Sequence, residues 1–483
     1  MEIPVDNGFY LSDSQPVSFQ ECTNWYPNTP QVKDPLSIGN LFGTSGVFQV
    51  ATSGLINNKN RGCHVKAGVA YFLNGTVLYR QERTVVSGVA TFNLVGLGTI
   101  PGDERASFSD NGKQLIIITG GLGWIVDETA SPAFDPITDV DFTANGTPEQ
   151  VVFLDSFFIV TTNSKKFIKS AANDGTSWNA LEFSSAEADP APIVGQIVHK
   201  NQLYIAGSET FEVFENRGIA NFPFQRIKGF VIDKGLFAPF GIIKTTDSFM
   251  FVGGGVNESP AIWALVGNNA QKVSNTAIDS VLSKMPEEEI QSAFAYSYAE
   301  SGAYFVGFTF TTRTFEFNTI TAKWHERKSR VVSNGQAFNQ RWRMNSLCSV
   351  FNKIFIADQI DGRIGILDPK TFTEYGEPII RVFSPPPISN GGRSFSISML
   401  EITMESGVGD AINDPQIRMS ISEDAKLFSG ELFQGFGKVG NYFRRAIWWG
   451  LGWFPRFAVI RFTMSDAVKP VIIKLEADVI SGS

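Results

Sequence analysis

A module of short apolar strands separated by polar turns recurs along the first 385 residues. It is clearest in QVVFLDSFFIVTTNSKKFIKSA, residues 150–171, where Asp155-Ser156 and Asn163-Ser164 interrupt three strands. The most apolar strand of each module begins near Val69, Leu115, Phe157, Leu203, Phe249, Tyr304 and Ile354. Successive starts are 42 to 55 residues apart. A repeat of this length indicates one supersecondary unit per module.

The spacing and the strand composition predict an all-β fold. A four-stranded propeller blade needs about 40 to 50 residues, and a nearly continuous apolar run is typical of a strand covered on both faces. Blades packed around an axis provide that cover and leave only short edges. We expect a β-propeller of about seven blades, and six or eight also fit the spacing. Stacked β-sandwiches, which also give short strands with regular turns, are the alternative.

Two segments depart from the repeat. SNTAIDSVLSKMPEEEIQSAFAY, residues 274–296, predicts a short helical insertion with Ser274 or Asn275 as its cap and Ile278, Val281 and Leu282 on one face. SPPPISNGGRS, residues 384–394, combines Pro with Gly as a linker does. We expect an N-terminal arm at 1–40, the propeller at 41–383, the linker at 384–394 and a β-sandwich-like domain at 395–483.

Composition excludes several classes of protein. Forty basic and 48 acidic residues give a net charge of -8, so the basic excess needed for tight nucleic-acid binding is missing. The three cysteines, Cys22, Cys63 and Cys348, are far apart and lack the CxxC spacing of a metal motif, and only three histidines occur, which leaves few candidates for a His-based metal site. No apolar run reaches the length of a membrane span, and the opening residues do not read as a secretory signal. We expect synthesis in a cytosol, no membrane span and no cofactor.

Enzymatic chemistry finds little support in the sequence. AANDGTSWN, residues 171–179, is close to the Asp-box hairpin of sialidase-type propellers, with Asn173 at the Asp position. Asp boxes shape a turn and perform no catalysis, so Trp178 is expected to plug into its blade. A glycosidase needs two converging carboxylates, and Glu209, Glu212 and Glu215 are the available group. A sialidase-like glycan-hydrolysing or glycan-binding propeller is the second hypothesis.

The densest aromatic cluster is NYFRRAIWWGLGWFPRFAVIRF, residues 441–462. Trp and Arg are enriched at protein interfaces, which makes this segment a candidate subunit contact. A second interpretation is nucleic-acid binding, with bases stacked on the Trp rings and Arg bound to phosphates. The third is that Arg packs on Trp inside a sandwich. The interface candidates are Arg444, Arg445, Trp448, Trp449 and Trp453.

The order of several motifs resembles the tail-hub, or packaged-DNA stabilisation, proteins of short-tailed bacteriophages. The stretches that carry the likeness are NWYPNTP at 24–30, LFGTSG at 41–46, GSETFEVFENRG at 207–218, FPF at 222–224, Lys234-Gly235, the helical stretch at 274–290, ISEDAKLFSGE at 421–431 and YFRRAIWWGLGWF at 442–454. Ser45 stands where the family has Pro. The resemblance spans nearly the whole chain.

The resemblance implies a structural virion protein without catalytic residues. Such a protein forms a homo-oligomeric ring, a hexamer in this family, below the portal and its adaptor. The ring extends the DNA conduit, retains packaged DNA and docks the tail needle and tailspikes. Double-stranded DNA passes its lumen without sequence-specific contact. Assembly is expected in the host cytoplasm, and a generic propeller scaffold is the third hypothesis.

Overall fold

The computed structural model describes residues 1–14, 18–28, 39–54, 58–188, 190–333, 335–409 and 412–482. Residues 29–38 of the expected arm, including the last two residues of the NWYPNTP motif, lie outside this part. Within it, antiparallel sheets follow one another along the chain as the repeat predicts. Seven of them are propeller blades.

Blades 1 to 4 are each built from four strands consecutive in sequence. Their strands are Asn60–Lys66, Val69–Asn74, Val77–Val86 and Val89–Thr99 in blade 1; Ser107–Asp110, Gln114–Thr119, Leu122–Asp127 and Phe134–Pro136 in blade 2; Pro148–Leu154, Phe157–Thr162, Lys166–Ala171 and Asp174–Ser185 in blade 3; and Gly195–His199, Gln202–Ala206, Phe211–Asn216 and Phe224–Ile232 in blade 4. A short 3-10 helix, Val140–Phe142, precedes blade 3.

Blades 5 and 6 follow the same plan with additions. Their strands are Gly235–Leu236, Ile242–Lys244, Phe249–Gly254, Ala261–Val266 and Asn269–Lys272 in blade 5, and Phe294–Glu300, Ala303–Thr309, Thr314–Asn318 and Lys323–Ser333 in blade 6. The strand Gln336–Arg341 folds back on the last strand of blade 6. Each blade therefore keeps an antiparallel four-stranded core.

Blade 7 joins the two ends of the propeller. Its inner strands, Met344–Val350, Lys353–Asp358 and Arg363–Asp368, come from the end of the repeat, and its outermost strand, Gly46–Thr52, comes from the start. The innermost strand of each blade, which is Ile242–Lys244 in blade 5, contacts that of the next blade, and Met344–Val350 contacts Asn60–Lys66 of blade 1. The propeller is thus closed with seven blades. The prediction of an all-β propeller is confirmed, and stacked sandwiches do not describe these residues.

Apolar side chains between neighbouring blades form the core. For example, Ile116 and Ile118 of blade 2 belong to one buried cluster with Phe158 and Val160 of blade 3. Each central strand is covered by a blade on either side, which is why its sequence is apolar at nearly every position. The core is therefore a series of layers between blades.

The helical insertion connects blades 5 and 6. Helix α1 spans Thr276–Ser283 and helix α2 spans Glu287–Gln291. Asn275 is the cap of α1, since its side-chain oxygen accepts the backbone N–H of Ile278 at 2.9 Å. Ile278 and Leu282 are buried, as their spacing predicts. No helix among the described residues is long and apolar enough to cross a membrane.

The C-terminal region is a β-sandwich, as predicted. One sheet contains Ala446–Phe454, Phe395–Met404 and Val471–Ser481, and the other contains Arg381–Phe383, Phe457–Met464, Gln416–Ser422 and Leu432–Gly435. Ile388–Ser389, inside the expected linker, pairs with Phe457–Met464. The connection is thus part of the sandwich surface.

Several strands of the N-terminal region are paired with the sandwich. Glu2–Ile3 and Asn40–Gly43 both pair with Val471–Ser481, and Trp25–Asn28 pairs with Asn40–Gly43. Cys22–Thr23 lies between Arg381–Phe383 and the last strand of blade 6. The remaining short strands form two hairpins. One pairs Tyr10–Leu11 with Phe19–Gln20, and the other pairs Thr373–Glu374 with Glu377–Pro378. The N-terminal segment therefore ties the sandwich to the propeller.

Truncating Ile364 tests the packing of blade 7. Ile364 is fully buried and pairs with Ala51 of the closing strand. We expect Ile364→Ala to lower the free energy of unfolding by about 2–5 kcal/mol because it leaves a cavity. Denaturant unfolding measures this loss, and hydrogen exchange should show faster exchange of the Gly46–Thr52 amides.

The matched control is Ile360→Ala. This isoleucine is 39% exposed in the neighbouring turn, so its truncation should change stability by no more than about 0.5 kcal/mol. Equal unfolding curves for the two variants would contradict the assigned packing.

Candidate functional site

The strand Ala446–Phe454, at the centre of the Trp/Arg cluster, forms the edge of a sandwich sheet. Its partner is Phe395–Met404, and its other edge has no strand partner among the described residues. Trp448 points inward: it is 4% exposed, its ring lies 5.7 Å from that of Phe462, and its indole N–H donates to the Leu432 carbonyl at 3.2 Å. Trp448 is therefore a core residue.

Trp449 and Trp453 point outward and are 70% and 60% exposed. The strand register shifts between them at Gly450 and Leu451, and Gly450 and Gly452 have positive φ, a conformation that glycine adopts without strain. Trp449 pairs with Met399 and Trp453 pairs with Ser396. The two indoles, four residues apart on one strand, lie on the same face of the sheet.

Register extends this face across three strands. Ser396 lies between Trp453 and Ile480, and Met399 lies between Trp449 and Asp478. Cross-strand neighbours share a face. We call the surface formed by Met399, Trp449, Trp453 and Ile480 the aromatic face.

Charged residues border the aromatic face. Arg445 forms a two-pronged ion pair with Glu401, with Nε donating to Oε1 at 2.6 Å, and this hydrogen bond raises the pKa of Arg445. Arg444, in the loop before the strand, is exposed and donates to the Gly435 carbonyl of the other sandwich sheet at 3.3 Å. An apolar centre with a charged rim is typical of protein interfaces.

The alternative interpretations of the cluster apply less well. Arg445 is paired with a carboxylate, and Asp478 adds negative charge in the row of Trp449, an arrangement that repels phosphates. Among the described residues, no cation lies over the Trp448, Trp449 or Trp453 rings, whereas Arg461 lies 3.9 Å from the Phe428 ring centroid. We therefore interpret the aromatic face as a candidate protein contact.

Two of the three carboxylates considered for glycan hydrolysis, Glu212 and Glu215, form local ion pairs. Glu212 is buried, and its carboxylate accepts the Ala188 N–H at 2.6 Å and lies 2.9 Å from the Arg226 guanidinium. Glu215 pairs with Arg217 at 2.7 Å. No group of three or more metal-ligating His, Cys, Asp or Glu side chains occurs in the described ranges.

The Asp-box-like segment forms a turn, as expected from its sequence. Asn173 has a φ of 56°, and Asp174 Oδ1 accepts the Thr176 N–H at 3.0 Å. Trp178 is buried, with its ring centroid 4.9 Å from that of Phe142. The segment fixes the last hairpin of blade 3.

Sequence reasoning missed a buried charged network in blade 6. Glu316 is fully buried, accepts the Tyr296 hydroxyl at 2.8 Å and contacts His325 Nε2 at 2.8 Å. Arg327 lies 3.7 Å from the same carboxylate. Burial alone would raise the pKa of Glu316, but Arg327 and His325 together hold it below its ordinary value. The only sequence signal is polar residues inside the apolar strands TFEFN and KWHER.

Arg327 extends this network to the closing region of the propeller. Its guanidinium lies 3.7 Å from the Trp342 ring centroid and donates to the Ser45 carbonyl at 3.2 Å. Ser45 immediately precedes the closing strand Gly46–Thr52. The network therefore stabilises the junction of blades 6 and 7 with the N-terminal segment.

Neutralising Glu316 tests this role. Glu316→Gln leaves the Arg327 charge buried without its partner, so we expect a loss of about 3 kcal/mol in unfolding free energy at pH 7. Because the folded pKa of Glu316 is lowered, its charged form contributes stability above the ordinary carboxyl pKa, and this contribution disappears as the pH falls through the folded value. The difference between wild type and variant should shrink below about pH 4 in denaturant titrations.

Glu377→Gln provides the surface comparison. Glu377 pairs with Arg330 at 3.3 Å, and its side chain is 41% exposed. Exposed pairs contribute about 0–1 kcal/mol. Identical losses for the two glutamine variants would contradict a stabilising buried network.

Comparison with known proteins finds two family models along the chain. The model described as "Bacteriophage P22 Gp10, beta-propeller" matches residues 1–372, and "Bacteriophage P22 Gp10, beta-sandwich" matches residues 380–480. No curated protein matches the chain.

Solved structures are similar to this chain at low identity. The WD40 beta propeller domain of Doa1 is 12% identical with a TM-score of 0.39, covering 67% of this chain and 97% of that chain. BamB from Moraxella catarrhalis is 11% identical with a TM-score of 0.39, covering 72% of this chain and 97% of its own. The computationally designed Ika8 protein is 8% identical with a TM-score of 0.37, covering 66% of this chain and 99% of its own.

Proposed function

Because the chain belongs to the bacteriophage P22 Gp10, or phage stabilisation, family, we propose that this phage tail structural protein forms the hub, or nozzle, ring of a short-tailed phage. The family matches confirm the resemblance found in the sequence and support a location in the virion. In the proposed role, identical subunits form a ring, a hexamer as the resemblance implies, that extends the DNA conduit.

The observation that carries this proposal is the aromatic face. The two indoles are 70% and 60% exposed on neighbouring rows of one sheet. Exposure of this apolar surface to water is unfavourable, and its burial against another protein is favourable. Trp residues are frequent hot spots of such contacts. We assign Arg444, Arg445, Trp449 and Trp453 to the subunit contact, with Trp448 supporting them from the core.

A closed ring requires two different surfaces on each subunit, since one face docks on the opposite face of the neighbour. The long hairpin of blade 1 offers a second apolar surface at its tip, where Val85, Val86 and Val89 are 52%, 66% and 66% exposed. We assign this tip as the surface that receives the aromatic face of the next subunit.

The charge of the chain fits a passive conduit. A net charge of -8 gives no basic excess to bind phosphates, so double-stranded DNA would slide through the lumen without sequence-specific contact. The screening length of about 10 Å at 0.1 M salt limits repulsion from the wall. Retention of packaged DNA and docking of portal adaptor, needle and tailspikes complete the proposed role.

A non-enzymatic role is the better proposal for the propeller. The carboxylates that a glycan hydrolase would need include Glu212 and Glu215, which form ion pairs with Arg226 and Arg217. This arrangement supports a structural use of these side chains. A sialidase-like activity remains the outcome that glycosidase assays of the purified chain would detect.

Removing the two exposed indoles tests ring assembly. Each Trp hot spot contributes about 2 kcal/mol or more, so we expect Trp449→Ala to weaken the contact between subunits roughly 30-fold and the Trp449→Ala/Trp453→Ala double variant to abolish rings. Mass photometry and negative-stain imaging of purified protein measure the ring fraction, and the melting temperature should stay within about 2 °C of wild type.

Two variants make the result specific. Phe338→Ala removes another exposed aromatic ring, 46% exposed on the blade 6 hairpin, and should leave rings intact. Trp448→Ala should lower stability by about 3–5 kcal/mol because it empties the sandwich core. Wild-type rings in the double variant would reject the aromatic face, and a persistently monomeric wild type with glycosidase turnover would reject the hub.

A further inference from the structure

Two cysteines from opposite ends of the propeller sequence meet at its closure. Cys63 lies in Asn60–Lys66, the first strand of blade 1, and Cys348 lies in Met344–Val350, the first strand of blade 7. Cys348 is buried, and Cys63 is partly exposed against the same apolar cluster. Both are free thiols.

Hydrogen bonds near the start of each strand fix the alignment of the two strands. Asn60 Oδ1 accepts the Ser346 hydroxyl at 2.6 Å, and the Asn60 carbonyl accepts the Asn345 side-chain amide. Further along the same two strands, Cys63 and Cys348 belong to one cluster of packed side chains between blades 7 and 1. Their approach therefore follows from the register of blades 7 and 1.

The environment makes the two sulfurs chemically unequal. Interaction with the neighbouring Cys348 thiol lowers the pKa of Cys63 and outweighs the effect of burial, and Ser346 and Arg105 act in the same direction. The same contact, together with burial, raises the pKa of Cys348. A partly exposed thiol with a lowered pKa next to a buried one is the arrangement of an attacking and a resolving cysteine.

We propose that Cys63 and Cys348 form a disulfide on oxidation, which covalently closes the propeller. A small disulfide such as oxidised glutathione is the oxidant: the Cys63 thiolate attacks one of its sulfurs and releases one glutathione thiolate. The Cys348 thiol then loses its proton, attacks the Cys63 sulfur of the mixed disulfide and releases the second glutathione. Two protein thiols are oxidised and one small disulfide is reduced to two thiols.

A disulfide at this position links strands from opposite ends of the propeller sequence. Blades 1 to 6 are joined to their neighbours by the chain itself, but the last strands of blade 7 are held to Gly46–Thr52 and to blade 1 by hydrogen bonds and packing. A Cys63–Cys348 bond spans this non-covalent junction. A reducing cytosol keeps the thiols free during assembly, and the bond forms once particles reach an oxidising medium.

The test uses the purified full-length chain with oxidised or reduced glutathione. Intact mass should fall by two hydrogen atoms on oxidation, and peptide mapping without reductant should link the peptides of Cys63 and Cys348. Because the bond closes a long loop, we expect the melting temperature to rise by on the order of 5 °C. Hydrogen exchange of the Gly46–Thr52 amides should slow.

Matched serine variants separate this bond from other oxidation. Cys348→Ser should stop at a mixed disulfide on Cys63 with no gain in melting temperature. Cys22→Ser should behave as wild type, since Cys22 is buried away from the pair and donates to the Trp25 carbonyl at 3.2 Å. The proposal is overturned if native wild-type protein yields only glutathione adducts, links the two cysteines only in denaturant, or gains no stability from the link. These readouts apply to single subunits, so they do not depend on ring assembly.

Discussion

The pairing of Gly46–Thr52 with Arg363–Asp368 is the interaction on which the propeller depends. Seven blades pack in a circle only if the last one is completed by a strand from the start of the repeat. Blades 1 and 7 otherwise expose the apolar surfaces that every other blade buries against a neighbour. Bringing distant segments together lowers the entropy of the chain, and this loss grows slowly with chain length. The free energy gained by pairing one strand and packing two apolar interfaces can therefore offset it. Closure thus makes the repeat a single cooperative structure.

Polar groups reinforce that closure where apolar packing alone would allow slippage. The Glu316, His325 and Arg327 network leads from blade 6 through Arg327 to the carbonyl of Ser45, one residue before the closing strand. Buried polar groups need defined partners, so this network favours one register over others. The hydrogen bonds of Asn60 to blade 7 do the same on the opposite side. Register is therefore fixed on both sides of the junction, and the thiol pair lies at the second of these two places.

The sandwich turns a closed propeller into a part suited to assembly. N-terminal strands pair with its C-terminal strand and with the edge of blade 6, which links the two units through several sheets. On this support, the alternation of side chains along Ala446–Phe454 directs Trp449 and Trp453 to solvent while Trp448 fills the core. A rigid subunit with exposed anchors loses little entropy on binding. This preorganisation fits the structural role in a phage tail that we propose.

Local pattern determined the fold class, the repeat, the helical insertion with its cap, the Asp-box-like turn and the composition of the Trp/Arg cluster, because each depends on residues close together in sequence. Strand period distinguishes the two faces of a blade but does not reveal which distant strand completes it. Tertiary structure decided that Gly46–Thr52 belongs to blade 7, that Trp448 and Trp449 have opposite environments, and that Glu316 pairs with a buried arginine. It also placed Cys63 beside Cys348. The closing strand and the cysteine pair depend on register between segments separated by most of the chain. The environments of the tryptophans and of Glu316 depend on what packs against each strand. Both are set by packing over the whole propeller, which no short stretch of sequence contains.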